Sequence, residues 1–504
     1  MKICPNCNEK LEKDTLVCTA CGCWEGDKRY QSRKNIRKSK KNKSKLVLFL
    51  ILAIMGVIAV TGYVIFTSFN VWTYTNEADK QEELNKEEES TQAVVESAFD
   101  FNFYDAPKTS MSQVVFLLSF EDQALNSTVD DWSQNFYGDG LYGFGSVNDY
   151  FLDSSKGMFA FEPINEDDGI NDGFISVEID EKHPVFEWDY DAFEQAGFDL
   201  YERVLEYGDT FIDYASFDLD GDGYVDSKEL SIVFVFAGYE DNELNIKGQS
   251  NVTSSQACSF VADAVFDDVS MFECVMIPEF EQTKYVENLI LPIGTICHEL
   301  GHTLGLPDLY DIDYSSEGLS FHSLMGSGNE NYDGQTVGTV PAPLIAWSRE
   351  YLGFIEPEIV DEDGTYRLSA RSLDDYNVIK IVEETHYYLI ENVDFVGYGM
   401  GLGFELVKPG IAIWQIDDGV VNDPDIYYNN SVNSNEEHMG IKLLEANGTQ
   451  DLLMSSDLFV KHGDYDHYFR FSSDNQYITS RGTIIEILDN PGDTMSISVT
   501  FKNE

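Results

Sequence analysis

The chain has 504 residues, 43% of them hydrophobic and 13% aromatic, and a formal net charge of −58. It is too long for one ordinary domain and apolar enough to bury real cores, which excludes a wholly disordered chain and points to two or three folded units. The charge is uneven: residues 1–45 hold 13 Lys/Arg against 5 Asp/Glu and the remainder 19 basic against 85 acidic groups, a field that argues against nucleic acid as a partner of the larger part.

Cys4, Cys7, Cys18 and Cys21 form C-x2-C-x10-C-x2-C, in which each CxxC can wrap two thiolates around one face of a tetrahedral Zn²⁺. A redox site needs only one CxxC, and a reducing cytosol disfavours disulfides, so residues 1–25 read as a structural zinc ribbon. The pattern is similar to the zinc ribbons at the cytoplasmic ends of bacterial membrane proteins. Cys23 has no assigned role. A basic juxtamembrane segment, 26–45, leads into residues 46–66, "LVLFLILAIMGVIAVTGYVIF", which contain no charge. Their 21 residues match the roughly 20 that cross the hydrocarbon core as a helix, so 46–67 is taken as a transmembrane helix. Basic residues before it and acidic residues after it put the N-terminus in the cytoplasm and the bulk of the chain outside. A cleaved signal peptide is the competing reading, disfavoured by the ribbon upstream and by the lack of a clear small-residue cleavage site.

Residues 68–110, with "NEADKQEELNKEEESTQ" at 76–92, are polar and free of hydrophobic periodicity, as in a solvated stalk. Globular sequence resumes near "QVVFLLSF" (113–120), a run suited to a buried strand. Residues 111–355 are expected to form one domain. From about 356 to 504, short β-like segments such as "YYLIENV" and "GIAIWQI" alternate with Gly, Asp and Asn turns, as in a β-sandwich. The expected class is therefore α+β.

Two motifs in the first of these domains bear on metal ions. "DLDGDGYVDSKE" (218–229) fits D-x-D-x-D-G-x5-E, offering Ca²⁺ the carboxylates of Asp218, Asp220, Asp222 and Asp226, the Tyr224 carbonyl and a bidentate Glu229. A carboxylate cluster in so acidic a chain can be plain solvated surface, but the alternating spacing and the glycine at the sixth position are harder to obtain by chance. "LSIVFVFAGYE" after it reads as a strand, so a paired-helix EF-hand is not implied. Further on, "ICHELGHTLGLPDLYD" (296–311) places His298 and His302 four apart, on one face of a helix whose apolar side is Ile293, Ile296, Cys297, Leu300 and Leu304. Glu299 can reach a metal-bound water as general base without ligating the zinc, and Gly305 can turn the chain so that Asp308 returns as third ligand. Three protein ligands leave one position for water, the mark of a catalytic site. HExxH alone matches by chance, but the glycine and the extra oxygen ligand stand at the spacing used by the zinc peptidases called metzincins. "HSLMGSGN" (322–329) then offers Met325 as the methionine floor beneath the metal, although a lone methionine is more often core filler. Cys258, Cys274 and Cys297 are odd in number; a Cys258–Cys274 bridge with Cys297 as a buried thiol is one arrangement, and the sequence leaves the pairing open.

Together these residues resemble the immune inhibitor A family of bacterial metallopeptidases. The likeness runs from about 112 to 500 through "SVNDYFLDSSKGMFAF", "FDLDGDGYVD", "HELGHTLGLPDLYD", "SLMGSGN", "APLIAWSREYLGF", "YYLIEN", "GIAIWQIDD" and "HMGIKLLEANG". It implies a metzincin-like catalytic domain followed by a β-rich domain, with zinc held by His298, His302 and Asp308; ribbon, span and stalk lie outside it. The expected activity is that of a membrane-anchored extracellular zinc endopeptidase acting on protein or peptide substrates through a zinc-activated water. The alternative is a surface-exposed binding protein on an inactive peptidase fold, which loss of Glu299 or of a ligand would have favoured. The sequence specifies no oligomeric state. Protease added to intact cells should remove the part after residue 67; full protection of that part with cleavage of the N-terminus would reverse the topology.

Overall fold

In the computed structural model, Lys2–Ile3 pairs antiparallel with Lys10–Leu11, and the other elements among the described residues lie between residues 109 and 502. Residues 12–108 lie outside the described part, as do 4–9 and the stretches 167–171, 185–189, 241–251, 261–264, 282–287, 405–407, 447–457 and 461–474 with a few single positions. The ribbon cysteines Cys4, Cys7, Cys18 and Cys21, the apolar segment 46–66 and the stalk therefore fall outside the described residues. Among the described residues no helix is long and apolar enough to cross a membrane.

The apolar run at 113–120 becomes strand β1 (Ser110–Phe120), buried almost throughout, as a strand covered on both faces must be. Helices α1 (Val129–Tyr137) and α2 (Val147–Ser154) follow, each opened by a capping box, Thr128 with Asp131 and Ser146 with Asp149, which satisfies orphan N–H groups of the first turn. Then come β2 (Ala160–Pro163), β3 (Phe174–Ile179), α3 (Tyr190–Gly208) and β4 (Leu230–Glu240). After β5 (Val252–Thr253), β6 (Gln256–Ser259), β7 (Glu273–Glu281) and β8 (Leu289–Ile290) the chain enters α4 (Ile293–Thr303). The sheet runs β8–β7–β4–β1–β2, with β3 also beside β1, β5 beside β4 and β6 beside β7. Its centre is parallel; β6 and β8 pair antiparallel with β7.

Side-chain alternation sorts this sheet into two cores. Val115, Leu117, Val233, Val235, Val275 and Ile277 face α1, α2 and α4, meeting Trp132, Phe136, Phe151, Ile296 and Leu300. Val114, Phe116, Ile232, Phe234 and Met276 face α3 through Tyr201, Val204 and Leu205. The expected mixture of helices and sheets holds, but this sheet is mainly parallel with helices on both faces, closer to α/β layering than segregated α+β. Helix α4 thus lies on a rigid floor.

The C-terminal part begins after α5 (Ala346–Tyr351). Its strands are β9 (Glu358–Ile359), β10 (Gly364–Ser369), β11 (Ile379–Val382), β12 (His386–Val393), β13 (Gly410–Asp417), β14 (Ile441–Leu443), β15 (Gln476–Ile478), β16 (Ile484–Ile487) and β17 (Thr494–Thr500). They make a five-stranded sheet, β9–β11–β12–β13–β14, and a four-stranded one, β10–β17–β16–β15. One face of the first sheet packs on the second through Ile390, Ile413, Ile485 and Ile497. The other face, with Leu389, Ala412 and Trp414, joins the core that contains α4. Residues 97–504 accordingly form one compact unit.

One buried charge stitches the two parts together. Glu391 on β12 accepts from Arg371 at 3.0 and 2.8 Å, from Tyr376 Oη at 2.7 Å, from Trp414 Nε1 at 2.7 Å and from the Ala346 N–H of α5 at 3.2 Å. Burial alone would raise its pKa, but the Arg371 guanidinium holds it below the ordinary carboxylate value, so the carboxylate keeps its charge. Its stabilisation is present above the unfolded-state pKa and is lost as pH falls through the lowered folded value. Glu391→Ala strands the Arg371 cation and should lower the unfolding free energy by about 3–5 kcal/mol in chemical denaturation. A loss below about 1 kcal/mol would show that the network carries no such burden.

Candidate metal centre

Helix α4 is built from a short apolar-periodic run and placed by two glycines. A Cβ on Gly294 would stand 1.9 Å from Asn329 O, so only glycine lets the 326–338 loop close over the helix start, where Gly294 N donates to Gly338 O at 2.9 Å. A Cβ on Gly301 would come within 2.7 Å of Met325 Sδ, and Met325 is fully buried there. The methionine lies directly under the helix turn that carries the two histidines.

The helix ends at Thr303, and Gly305, with φ of 91°, reverses the chain. Asp308 comes back so that its Oδ1 lies 3.1 Å from His298 Nε2 and 3.2 Å from His302 Nε2. Backbone carbonyls fix both rings: His298 Nδ1 donates to Leu324 O at 2.9 Å and His302 Nδ1 to Leu306 O at 2.8 Å. A carbonyl only accepts, so each Nδ1 carries a proton and each Nε2, the nitrogen a metal would take, is turned towards Asp308. Tyr310 stacks on the His298 ring at 6.2 Å. The Asp308 carboxylate is buried, and beyond the two imidazoles its Oδ1 has no hydrogen-bond partner. A buried carboxylate oxygen facing two imidazole Nε2 atoms is a donor set that fits a divalent metal, and the three donor atoms lie within 4.8 Å of one another.

Glu299 is buried beside this cluster. Burial raises its carboxyl pKa, His298 and His302 oppose the shift, and the Ala257 N–H of the edge strand β6 hydrogen-bonds it. For Asp308 burial acts in the same direction, but His302 and His298 outweigh it and hold the carboxyl well below the ordinary range. A cleft of about 440 Å³ opens over His298 and Glu299, lined also by Ser255 and Thr295 and by the acidic Glu281, Asp311, Glu317 and Glu330.

These residues lie within a segment that can be assigned. Residues 217–354 match the immune inhibitor A peptidase M6 catalytic domain. The chain carries an immune inhibitor A-like metallopeptidase domain. Curated relatives include the pre-pro-metalloprotease PrtV of Vibrio cholerae, 41% identical over 61 residues, and immune inhibitor A of Bacillus thuringiensis subsp. alesti, 38% identical over 61 residues. The aligned stretch is 12% of this chain, and only 6% and 9% of the length of those proteins. Among solved structures, catalytically inactive OgpA of Akkermansia muciniphila in complex with an O-glycopeptide substrate matches 57% of this chain and 72% of that one, with 13% identity and a TM-score of 0.28, too low to carry an argument. The M6 match begins at residue 217, whereas the peptidase sheet also uses β1, β2 and β3 from upstream.

The acidic loop is assembled in part. Carboxylate oxygens of Asp218, Asp220 and Asp222 lie within 4.8 Å of one another, and Gly221 and Gly223 adopt φ of 78° and 89°. Glu229 is turned to the backbone, accepting from Leu219 N at 2.6 Å, and Asp226 accepts from Lys228 N at 2.7 Å. Tyr224–Val225 pairs with Val269–Met271 in a small sheet, and strand β4 follows the loop. Cys258 and Cys274 are opposite each other in the β6–β7 register, and Cys297 is buried on α4 with its thiol pKa pushed up by burial.

Sequence reasoning missed residues that approach from the far side. Asn430, Asn433 and Tyr427 touch the 305–309 turn, and no motif marks them. The only local signal is the turn-forming asparagine-rich "YYNNSVNSNEE".

Proposed function

We propose that the protein is a membrane-anchored extracellular zinc endopeptidase, with His298, His302 and Asp308 as metal ligands and Glu299 as general base. The observation that carries this is the convergence of two oriented imidazole Nε2 atoms on one oxygen of a buried carboxylate, with His298 and the adjacent buried Glu299 lining one cleft. A metzincin-like arrangement is supported by Met325 beneath the helix and by the turn at Gly305.

Zinc, when bound, supplies Lewis acidity that polarises the scissile carbonyl and brings the pKa of water down towards about 7. The carbonyl-anchored imidazoles keep their lone pairs on one point. Glu299 takes the proton of the attacking water on its carboxylate and passes it to the leaving amine. The cleft over His298 and Glu299 is where a peptide would lie, and the anchor ahead of residue 68 keeps the site outside the membrane. The ribbon cysteines are assigned a second, structural zinc on the cytoplasmic side.

Ca²⁺ is assigned to the 218–229 loop. Asp222 has its pKa raised by burial and then by the charges of Asp220 and Asp218, a crowding that a cation relieves. Binding of the folded state alone would add about 2.7 kcal/mol at a hundredfold excess over the dissociation constant. The melting temperature of chelator-stripped protein should rise with calcium; indifference to calcium removes the assignment.

Activity gives the direct test of the enzyme. With purified full-length protein and a broad peptide library, Glu299→Ala should keep its zinc and its fold while cleavage falls by roughly 10²- to 10⁴-fold or more. If zinc-loaded wild type cleaves nothing and Glu299→Ala changes nothing, the enzyme reading fails and the fold serves binding.

A further inference from the structure

We propose that Asn430, lying 122 residues beyond Asp308, is the positioning residue that sets which oxygen of the third ligand faces the metal. The inference rests on the zinc-site reading above and concerns how that site is held. The Asp308 N–H donates to Asn430 Oδ1 at 2.6 Å, and Asn430 Nδ2 donates to Asp308 Oδ2. The two bonds fix each other. Only the amide oxygen can accept from a backbone N–H and only the amide nitrogen can donate to a carboxylate, so a single orientation of the amide satisfies both.

The consequence is a division of labour within one carboxylate. Oδ2 is engaged by the asparagine, and Oδ1 faces His298 Nε2 at 3.1 Å and His302 Nε2 at 3.2 Å. Asp308 is thereby presented through one oxygen. Without the amide, the carboxylate can rotate about its Cβ–Cγ bond and place either oxygen, or both, at the imidazoles. A ligand that must be ordered upon binding gives weaker binding than one already ordered.

Asn430 is itself held for the task. It has φ of 51°, a left-handed conformation that asparagine tolerates better than most residues, and its N–H bonds Tyr427 O at 2.9 Å just after helix α6 (Pro424–Tyr428). The neighbours at three-residue spacing grip the same turn. Tyr427 Oη donates to Gly305 O, and buried Asn433 donates to Leu309 O at 3.3 Å while accepting from Ile441 N at 3.0 Å. Residues 427, 430 and 433 thus meet 305, 308 and 309 in order, a brace running along the ligand turn.

The test is zinc retention at buffered free zinc, read as bound metal rather than activity, on the full chain. His302→Ala defines the share of zinc that belongs to this site, leaving out any held elsewhere. Asn430→Gly deletes the amide while glycine keeps the left-handed backbone at no steric cost. Asn430→Asp keeps an acceptor for the Asp308 N–H but sets a second carboxylate where the donor was. Both variants should need roughly 10- to 100-fold more free zinc to fill half the site, the range seen when the partners of metal ligands are removed. An affinity within twofold of wild type in either folded variant overturns the proposal, and so does a lowered melting temperature with unchanged zinc affinity, which would make Asn430 a fold residue only. If wild type shows no zinc that depends on His302, the metal site itself is wrong and the inference falls with it.

Discussion

The structure turns on the cost of keeping a carboxylate buried between two imidazoles. Asp308 is almost fully enclosed, and an ionised group in such a place survives only if its oxygens are compensated. One oxygen has the Asn430 amide; the other has the two imidazoles, at 3.1 and 3.2 Å. Everything around the pair serves that requirement. Gly305 turns the chain back, Leu324 and Leu306 carbonyls aim the rings, and the parallel sheet beneath α4 keeps the histidine face from shifting.

The compensation is not local to the motif. The ligand turn is braced from 427–433, in the C-terminal part, and that part is fastened to the peptidase sheet by the Glu391 network and by a continuous apolar core through Leu389 and Trp414. A separable β-rich appendage would leave the turn unsupported. The 427–433 segment of the C-terminal part is instead a second wall of the candidate site, and this gives a physical reason for "YYLIEN" and "GIAIWQI" to accompany the histidine motif in one chain: the first supplies Glu391 and the second its partner Trp414.

Much of the peptidase part was legible because it is written in local patterns. The run at 113–120 reads as a doubly buried strand, the i, i+4 histidines as one helix face, and the glycine at 305 as the helix stop, since each is decided by a few neighbouring residues. The parallel order of the sheet was not legible, because strand pairing is settled by contacts distant in sequence. Nor was Asn430, whose role exists only because a turn 122 residues away is folded against it. The acidic loop shows the intermediate case: Asp218, Asp220 and Asp222 converge, while Asp226 and Glu229, expected to join them, bond the loop's own N–H groups.

The most direct measurement of the central claim is anomalous diffraction at the zinc edge from crystals of the zinc-loaded protein. The account predicts a peak about 2.0–2.2 Å from His298 Nε2, His302 Nε2 and a single oxygen of Asp308, with Glu299 close by but unbonded to the metal. Fully loaded crystals with no zinc at these three atoms, or with Glu299 standing in for Asp308 as ligand, would contradict it.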